Sequence, residues 1–161
     1  MTHRPDGLKG AAAGVLAGLL AAYVMNQFQT AWTEKGWPGA TGGDETPTTT
    51  KAAEKGKRAI LGRPLNQRER ELADPTVHYA TGALLGALYG YLAEDAPGVT
   101  TGGGTLFGSL TAIGLDDGLV PLLGLGEGPE ETSKETHLYS FASHWVFGAA
   151  LEGARKILRI I

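Results

Sequence analysis

The amino-acid sequence predicts an all-α fold, a four-helix multi-pass membrane bundle with glycine-rich helix packing and a helical polar loop between helices 1 and 2. Three observations predict it: long apolar stretches, small residues at every fourth position within them, and a polar segment holding eight of the fourteen Lys and Arg residues. Residues four apart stack along one helix face, so a row of small residues forms a groove without side-chain bulk. Such grooves allow close helix packing in a bilayer.

Four rows of small residues lie on the four predicted helices, and each row leads into a polar or ionisable residue. The rows are Gly10, Gly14, Gly18 and Ala22 before Asn26; His78, Gly82, Gly86 and Gly90 before Glu94; Gly104, Gly108 and Ala112 before Asp116; and Ser140, His144 and Gly148 before Glu152. We therefore expect helix packing through nine glycines: Gly10, Gly14, Gly18, Gly82, Gly86, Gly90, Gly104, Gly108 and Gly148.

The glycine content, mean hydropathy, net charge and cysteine count limit the classes of protein and of functional site that the chain can contain. The 161 residues include 25 glycines, and an interior glycine costs a soluble helix roughly 1 kcal/mol relative to alanine, whereas transmembrane helices tolerate glycine better. The mean hydropathy of -0.08 is ordinary for a soluble protein, but this average includes the polar segment. A net charge of -3 gives no reason to expect a nucleic-acid partner. The absence of cysteine excludes disulfides, thiolate metal ligands and cysteine nucleophiles.

The first predicted helix spans about residues 9–32 and is the best membrane-span candidate. No charged residue occurs from Gly10 to Thr33, which is longer than the apolar core of a signal peptide, so we expect it to stay uncleaved. Trp32 and Trp37 suit an aromatic belt at the membrane interface. The polar loop, residues 34–74, is predicted to contain an amphipathic helix over Thr48 to Leu61 and a short helix over 67–73.

Three further helices complete a single membrane domain, residues 1–161. Asn66 and Glu69 have the spacing of a capping box for the short helix. Asp74 as N-cap with Pro75 at the first helical position predicts a second long helix over 75–93. The third is predicted over 99–120, interrupted near Pro121. The fourth, over 133–158, is predicted to begin at a capping box of Thr132 and Glu135.

Five ionisable residues are predicted at membrane depth: His78, Asp116, Asp117, His144 and Glu152. Ionisable groups at that depth are costly and are candidates for function. Because four of them fall on the small-residue rows, we expect them to point into the bundle together. Hydrogen bonding between helices is the favoured interpretation; proton or ion handling and metal binding stay open. Neither His-x3-His nor Glu-x2-His occurs, and the sequence predicts no catalytic residue, metal or cofactor.

Several segments resemble the YagU-like family of bacterial inner-membrane proteins. The resemblance covers roughly residues 48–159 and is carried by Val77-His78-Tyr79-Ala80, by the glycine-rich run to Gly90, by Gly104 to Gly108 with the acidic pair and Val120-Pro121, and by Thr136 to Tyr139 with Ser143-His144-Trp145-Val146-Phe147-Gly148. It implies a small multi-pass membrane protein with some association with acid stress. It implies no catalytic residues.

The sequence therefore predicts a non-enzymatic integral membrane protein of the bacterial inner membrane, with a structural, accessory or stress-related role. Its expected partners are the lipid bilayer and either further copies of itself or a larger membrane complex. Two alternatives stay open. One is a proton or ion pathway built from the intramembrane histidines and carboxylates, and the other is a soluble helical bundle.

Overall fold

A computed structural model describes residues 6–40 and 46–160 of the chain. The described residues are all-helical, without a β-strand. The elements are α1 (Gly7–Glu34), α2 (Thr48–Leu61), α3 (Gln67–Asp95), a 3₁₀ segment (Pro97–Gly104), α4 (Thr105–Thr111), a π-helix (Ala112–Leu119), the single turn α5 (Val120–Leu122) and α6 (Lys134–Ile160).

The long helices form an antiparallel bundle. Helix α1 packs against both α3 and α6, and α4 packs against α6. The bundle has a terminal end, defined by Asp6, Glu94 and Arg159, and a hairpin end, defined by Trp37, Asp117 and α2. We call the stretch from Gly104 to Leu122 the α4 segment. Helix α1 and the α4 segment run from the terminal end to the hairpin end, whereas α3 and α6 run in the opposite direction.

Helices α1 and α3 approach to backbone contact along the first two glycine rows. A Cβ built on Gly14 would lie 2.0 Å from the carbonyl oxygen of Gly86, and one on Gly18 would lie 2.1 Å from that of Gly82. At the next level, a Cβ on Gly90 would lie 2.1 Å from the oxygen of Gly10. No side chain fits at these distances, so glycine is required on both helices.

A second bare seam joins the α4 segment to α6. A Cβ on Gly108 would lie 2.2 Å from the carbonyl oxygen of His144, and one on Gly148 would lie 2.2 Å from that of Gly104. Gly104 also has a φ of +94°, a conformation that L side chains rarely adopt. All nine glycines named from the sequence thus lie where two helix backbones touch.

Helix α3 does not begin at Pro75 but runs continuously from Gln67, through the proline. The Asn66–Glu69 capping box is present and starts this longer helix. The prediction that Asp74 is an N-cap is wrong. Asp74 lies within α3 and accepts a hydrogen bond from the Thr49 hydroxyl. Contacts with α2 hold the turns before Pro75 in line with the rest, which offsets the backbone hydrogen bond that proline cannot donate.

The third predicted segment is not one helix. Thr101, Gly102 and Gly103 leave the helical conformation, and α4 starts only at Thr105. From Ala112 the chain widens into a π-helix, in which Val120 N–H donates to the carbonyl of Leu115, five residues back. The break before α4 occurs because consecutive glycines take up positive φ. The irregularity after α4 is a π-helical stretch that precedes Pro121, which lacks an N–H.

Helix α6 is capped one residue later than the sequence indicated. The Ser133 hydroxyl accepts from the Thr136 N–H at 3.1 Å, and the helix begins at Lys134. The Thr132 hydroxyl instead donates to the carbonyl of Gly128 in the preceding loop. Ser and Thr are similar N-caps, so the loop contact decided between them.

The polar loop contains α2 at the predicted bounds, and α2 packs as a hairpin against the first two turns of α3, a contact that the sequence did not predict. Glu54 accepts from Arg58 at 3.1 Å and pairs with Arg70 at 2.9 Å, while Lys57 pairs with Glu69. Lys55 Nζ donates to the carbonyl of Leu123 at 2.5 Å, which joins this hairpin to the end of α5.

The interior of the bundle combines small residues with a few large side chains, and most of its leucines lie on the outer surface. The buried cluster contains three alanines of α1 alongside Tyr89, Phe107, Phe147 and Leu151. In four stretches, residues 10–25, 77–92, 105–115 and 138–154, no exposed residue is charged, and every exposed residue is small, aliphatic or aromatic. The exposed residues there are Ala12, Val15, Leu16, Leu19, Leu20, Tyr23, Ala80, Leu84, Leu88, Tyr91, Leu106, Leu110, Ile113, Gly114, Leu138, Trp145, Ala149 and Gly153.

By length and average hydropathy, α1 alone among the described helices qualifies as a membrane span, with a mean of 1.7 over its best window. A single such helix near the N-terminus is weak evidence, since core helices and signal sequences also qualify. Four membrane crossings are therefore not established by hydropathy.

Replacing Gly86 with alanine should destabilise the bundle by about 1 to 3 kcal/mol, the usual effect of overpacking. The new Cβ would lie 2.2 Å from the carbonyl oxygen of Gly14, so α1 and α3 would have to separate. Thermal unfolding of the purified protein in detergent measures the loss. Gly153→Ala is the matched control: nothing lies within 4 Å of its Cβ, so it should stabilise α6 by up to about 1 kcal/mol. Equal effects of the two substitutions would contradict the backbone seam.

The α2–α3 hairpin should loosen in acid. The hydrogen bond from Lys57, followed by that from the Asn66 N–H, lowers the pKa of the Glu69 carboxyl below its ordinary value of 4.5. Because the folded-state pKa is the lower one, this stabilisation is complete above pH 4.5 and is lost as the pH falls through the folded value. Amide exchange in α2, corrected for intrinsic rates, should accelerate at that acidic pH. Glu69→Gln should remove much of this dependence, whereas Glu71→Gln should retain it.

Candidate functional site

The ionisable residues of the bundle form polar clusters at its two ends. At the terminal end, the Glu152 side chain is only 3% exposed and carries several partners. Its Oε2 accepts from the Tyr89 hydroxyl at 2.9 Å and from Arg155 Nε at 2.8 Å, and its Oε1 accepts from Arg155 Nη2 at 3.0 Å. Lys156 Nζ lies 3.3 Å from Oε1. Glu152 therefore joins α6 to α3 and is neutralised by a two-pronged guanidinium contact.

A second ion pair closes the same end. Arg159 donates to both oxygens of Glu94 at 2.8 Å, and the two side chains are 15% and 5% exposed. The backbone N–H of Asp6 donates to Glu94 Oε2 at 3.2 Å. One carboxylate thus connects the beginning of α1, the end of α3 and the end of α6.

At the hairpin end, Asp116 and Asp117 connect the π-helix to α6. The Ser140 hydroxyl donates to Asp116 Oδ2, and His144 Nδ1 lies 3.7 Å from the same oxygen. Asp117 Oδ1 lies 3.4 Å from His137 Nδ1. The π-helical backbone places two consecutive aspartates against α6, one turn apart along that helix.

His144 is nearly buried, and its closest polar contact is within its own helix. Its Nδ1 lies 3.0 Å from the carbonyl oxygen of Ser140, closer than it lies to Asp116. His137 has a second contact through Nε2, 3.1 Å from the carbonyl oxygen of Pro129. The His137 ring therefore bridges α6 to neighbouring segments, whereas His144 bonds within α6 and lies 3.7 Å from Asp116 Oδ2.

His78 lies apart from both clusters. Its Nε2 is 3.1 Å from the carbonyl oxygen of Ala22, and its ring packs edge-on against Tyr79. This contact continues the α1–α3 seam by one turn beyond Gly82 and Gly18. His78 thus acts as a cross-helix hydrogen-bonding residue, the role the sequence favoured for histidines on the rows.

The expectation that these side chains meet inside the bundle is wrong. His144 and Glu152 are eight residues apart on α6, which is about 12 Å along the axis. His78 is eleven residues from Tyr89, the α3 partner of Glu152, about 16 Å along α3. Asp116 and His144 come together, but His78 and Glu152 each contact other partners. The small-residue rows set the face of each residue correctly and could not set its depth.

Sequence reasoning missed the cations that neutralise the buried carboxylates. Glu152 and Arg155 are three residues apart on a helix, a spacing that favours ion pairs, so this partner was detectable. The Glu94–Arg159 pair was not, because 65 residues separate the two in sequence. Within the described residues, no three His, Asp or Glu side chains come close enough to hold a metal ion. The clusters present can cross-link helices through charge and hydrogen bonds.

Glu152→Ala should destabilise the bundle by about 3 to 5 kcal/mol, because Arg155 would be left as a buried charge without its partner. Unfolding followed by circular dichroism in detergent measures this loss. Combining Glu152→Ala with Arg155→Ala should recover part of the stability. Glu127→Gln, an exposed loop substitution, should leave the unfolding temperature unchanged. Tolerance of Glu152→Ala would show that the terminal cluster does not support the fold.

Comparison with known proteins finds no relative of this chain. No family model matches the chain, and no curated protein or solved structure matches it. The function therefore has to be inferred from the chain's own residues and contacts.

Proposed function

We propose that the chain is a small integral membrane protein whose four crossings are α1, α3, the α4–α5 segment and α6. Its role is structural or accessory, without catalysis. The observation that carries the proposal is the apolar outer surface: across the middle of all four segments, no exposed residue is charged, and every exposed residue is small, aliphatic or aromatic. Leu84 is 72% exposed and Leu110 is 58% exposed. A soluble bundle would place such side chains inside and its glycines elsewhere.

The average hydropathy of α3 and α6 underestimates how apolar their outward faces are, for a physical reason. Glycines and hydrogen-bonded residues such as His78 lower the mean of a window, yet they face other helices. Lipid contacts only the outward residues, which in the middle of α3 are Ala80, Leu84, Leu88 and Tyr91. The outward face of α3 is therefore as apolar as that of α1, the helix that qualifies by its average.

The depth of the polar groups also supports a membrane location. From Gly10 to Met25, the apolar stretch of α1 is about 22 Å long at the usual helical rise, and the uncharged stretch from Gly10 to Thr33 is about 35 Å long, enough for a hydrocarbon core of about 30 Å. Exposed Lys9 lies before it, and exposed Asn26 and Gln27 lie after it. Trp32 and Trp37 follow at the hairpin end, and tryptophan is common at the membrane–water interface of membrane proteins. These positions are consistent with a bilayer core bounded by the two polar ends.

The contacts favour a structural role over the proton or ion pathway. A pathway needs titratable groups close enough to exchange a proton, whereas His78 and Glu152 contact different partners from Asp116 and His144. The carboxylates at the terminal end are neutralised by arginines. Membership of the YagU-like family, location in a bacterial inner membrane, assembly with further copies and a role in acid stress are parts of the same proposal.

Extraction of membranes with alkaline carbonate tests the proposal against the soluble bundle. The full chain should stay in the pellet and require detergent for release, because its outer surface is apolar. Release into the carbonate supernatant would overturn the membrane assignment. The soluble alternative predicts that result.

A pair of substitutions on α3 sharpens the test. Leu84→Glu would place a carboxylate on the outward face at mid-helix, and we expect it to reduce membrane insertion several-fold, since a charge there costs about 2.5 to 3.5 kcal/mol. Leu72→Glu lies on the same helix within the polar hairpin, where the leucine is 55% exposed, and should insert normally. Equal insertion of both variants would contradict α3 as a crossing segment.

A further inference from the structure

An open cleft of about 320 Å³ lies at the hairpin end, between the last turns of α1 and the first turns of α6. It is lined by Gln29, Thr30, Thr33, Glu34 and Tyr139. Glu34 is the acidic residue of this lining, and the lining contains no basic residue. The cleft has no part in the end clusters or in the glycine seams.

The lining of the cleft offers hydrogen-bond acceptors. The Thr30 hydroxyl donates to the carbonyl of Asn26 at 3.0 Å, and the Thr33 hydroxyl donates to the carbonyl of Gln29 at 3.0 Å. Each hydroxyl has therefore used its hydrogen, and its oxygen keeps lone pairs for accepting. With the Glu34 carboxylate, these oxygens suit a ligand that carries several donors.

The electrostatics of the cleft favour a cation. Glu34 is the last residue of α1, whose final turn contains no basic residue, so the negative end of the helix dipole adds to its charge. The Tyr139 ring packs edge-on against Trp32 with centroids 5.8 Å apart. Trp32 is held in place by donation from its Nε1 to the carbonyl of Pro38 at 2.9 Å. A fixed aromatic ring beside a carboxylate is a favourable environment for an ammonium group.

The position of the cleft identifies the source of the cation. Residues 29–34 lie four to nine positions beyond Met25, which is about 6 to 13 Å past the end of the apolar stretch of α1. That is the depth of lipid headgroups. Lys35, adjacent to Glu34, lies over the Trp37 ring at 4.7 Å, so a positive charge is available nearby for a lipid phosphate.

We propose that this cleft binds a primary ammonium group, that of a phosphatidylethanolamine headgroup in the leaflet at the hairpin end. A primary ammonium has three N–H donors for the Glu34 carboxylate and the threonine oxygens, whereas a choline headgroup has none. The lipid source rests on the proposed membrane location. The ammonium chemistry rests on the cleft itself.

Binding is measured with the purified full chain in detergent, using short-chain phosphatidylethanolamine as the probe and following the unfolding temperature and tryptophan fluorescence. Short-chain phosphatidylcholine, phosphatidylglycerol and free ethanolamine are the comparison ligands. We expect the ethanolamine lipid to bind most tightly. Glu34→Gln should weaken it roughly fivefold, the effect of losing an exposed ion pair of about 1 kcal/mol. Thr33→Val, which keeps the side-chain shape, should weaken it further when combined with Glu34→Gln.

The matched control is Glu130→Gln, an exposed loop carboxylate outside the cleft, which should bind the lipid as the unchanged chain does. Equal binding by Glu34→Gln and the unchanged chain, or equal binding of the three lipids, would overturn the ammonium site. Free ethanolamine binding as tightly as the lipid would overturn the lipid source. Because these measurements use detergent, they are independent of carbonate extraction, and failure of either proposal can be recognised separately.

Discussion

Direct backbone contact between helices is the constraint on which the rest of the structure depends. At eight of the nine seam glycines, a single added Cβ would lie between 2.0 and 2.4 Å from a carbonyl oxygen of the opposite helix, and at Gly82 it would lie 2.7 Å from the Cβ of Ala22. Helices this close leave little room for side chains between them. The interior is accordingly built largely from alanines, hydroxyls and a few large side chains such as Tyr89 and Leu151, and most of the leucines project outward. The apolar outer surface is a direct consequence of the bare seams.

The glycine seams allow close packing, but they contribute few specific contacts that fix how the ends of neighbouring helices are aligned. The polar clusters supply that function. Glu94 connects three helices through Arg159 and the Asp6 N–H, and Asp116 and Asp117 hold the π-helix against α6. A buried carboxylate is costly unless it is paired, so only the correct arrangement of the helices satisfies it. These clusters therefore specify the helix register.

The same arrangement explains why the cleft at the hairpin end differs from the clusters. Glu34 lies beyond the seams, at the end of a helix without a basic residue in its last turn, and no arginine reaches it from α6. The carboxylates in the end clusters are paired within the chain, whereas Thr30, Thr33 and Glu34 of the cleft are exposed. A binding role is reasonable for this site, and helix cross-linking is reasonable for the others.

Much of the fold was determined by the sequence alone. Spacing of four within apolar stretches predicted the helical class and the nine seam glycines, the amphipathic pattern predicted the bounds of α2, and the three-residue spacing predicted the Asn66–Glu69 cap. All of these depend on local periodicity and local hydrogen bonds. Tertiary contacts decided the rest. The passage of α3 through Pro75 depends on α2, the Ser133 cap depends on the loop before it, and the depth of His78, Asp116, His144 and Glu152 depends on where each helix lies against its neighbour. A repeat of four sets the face of a residue, but only the packed bundle sets its height and its partner.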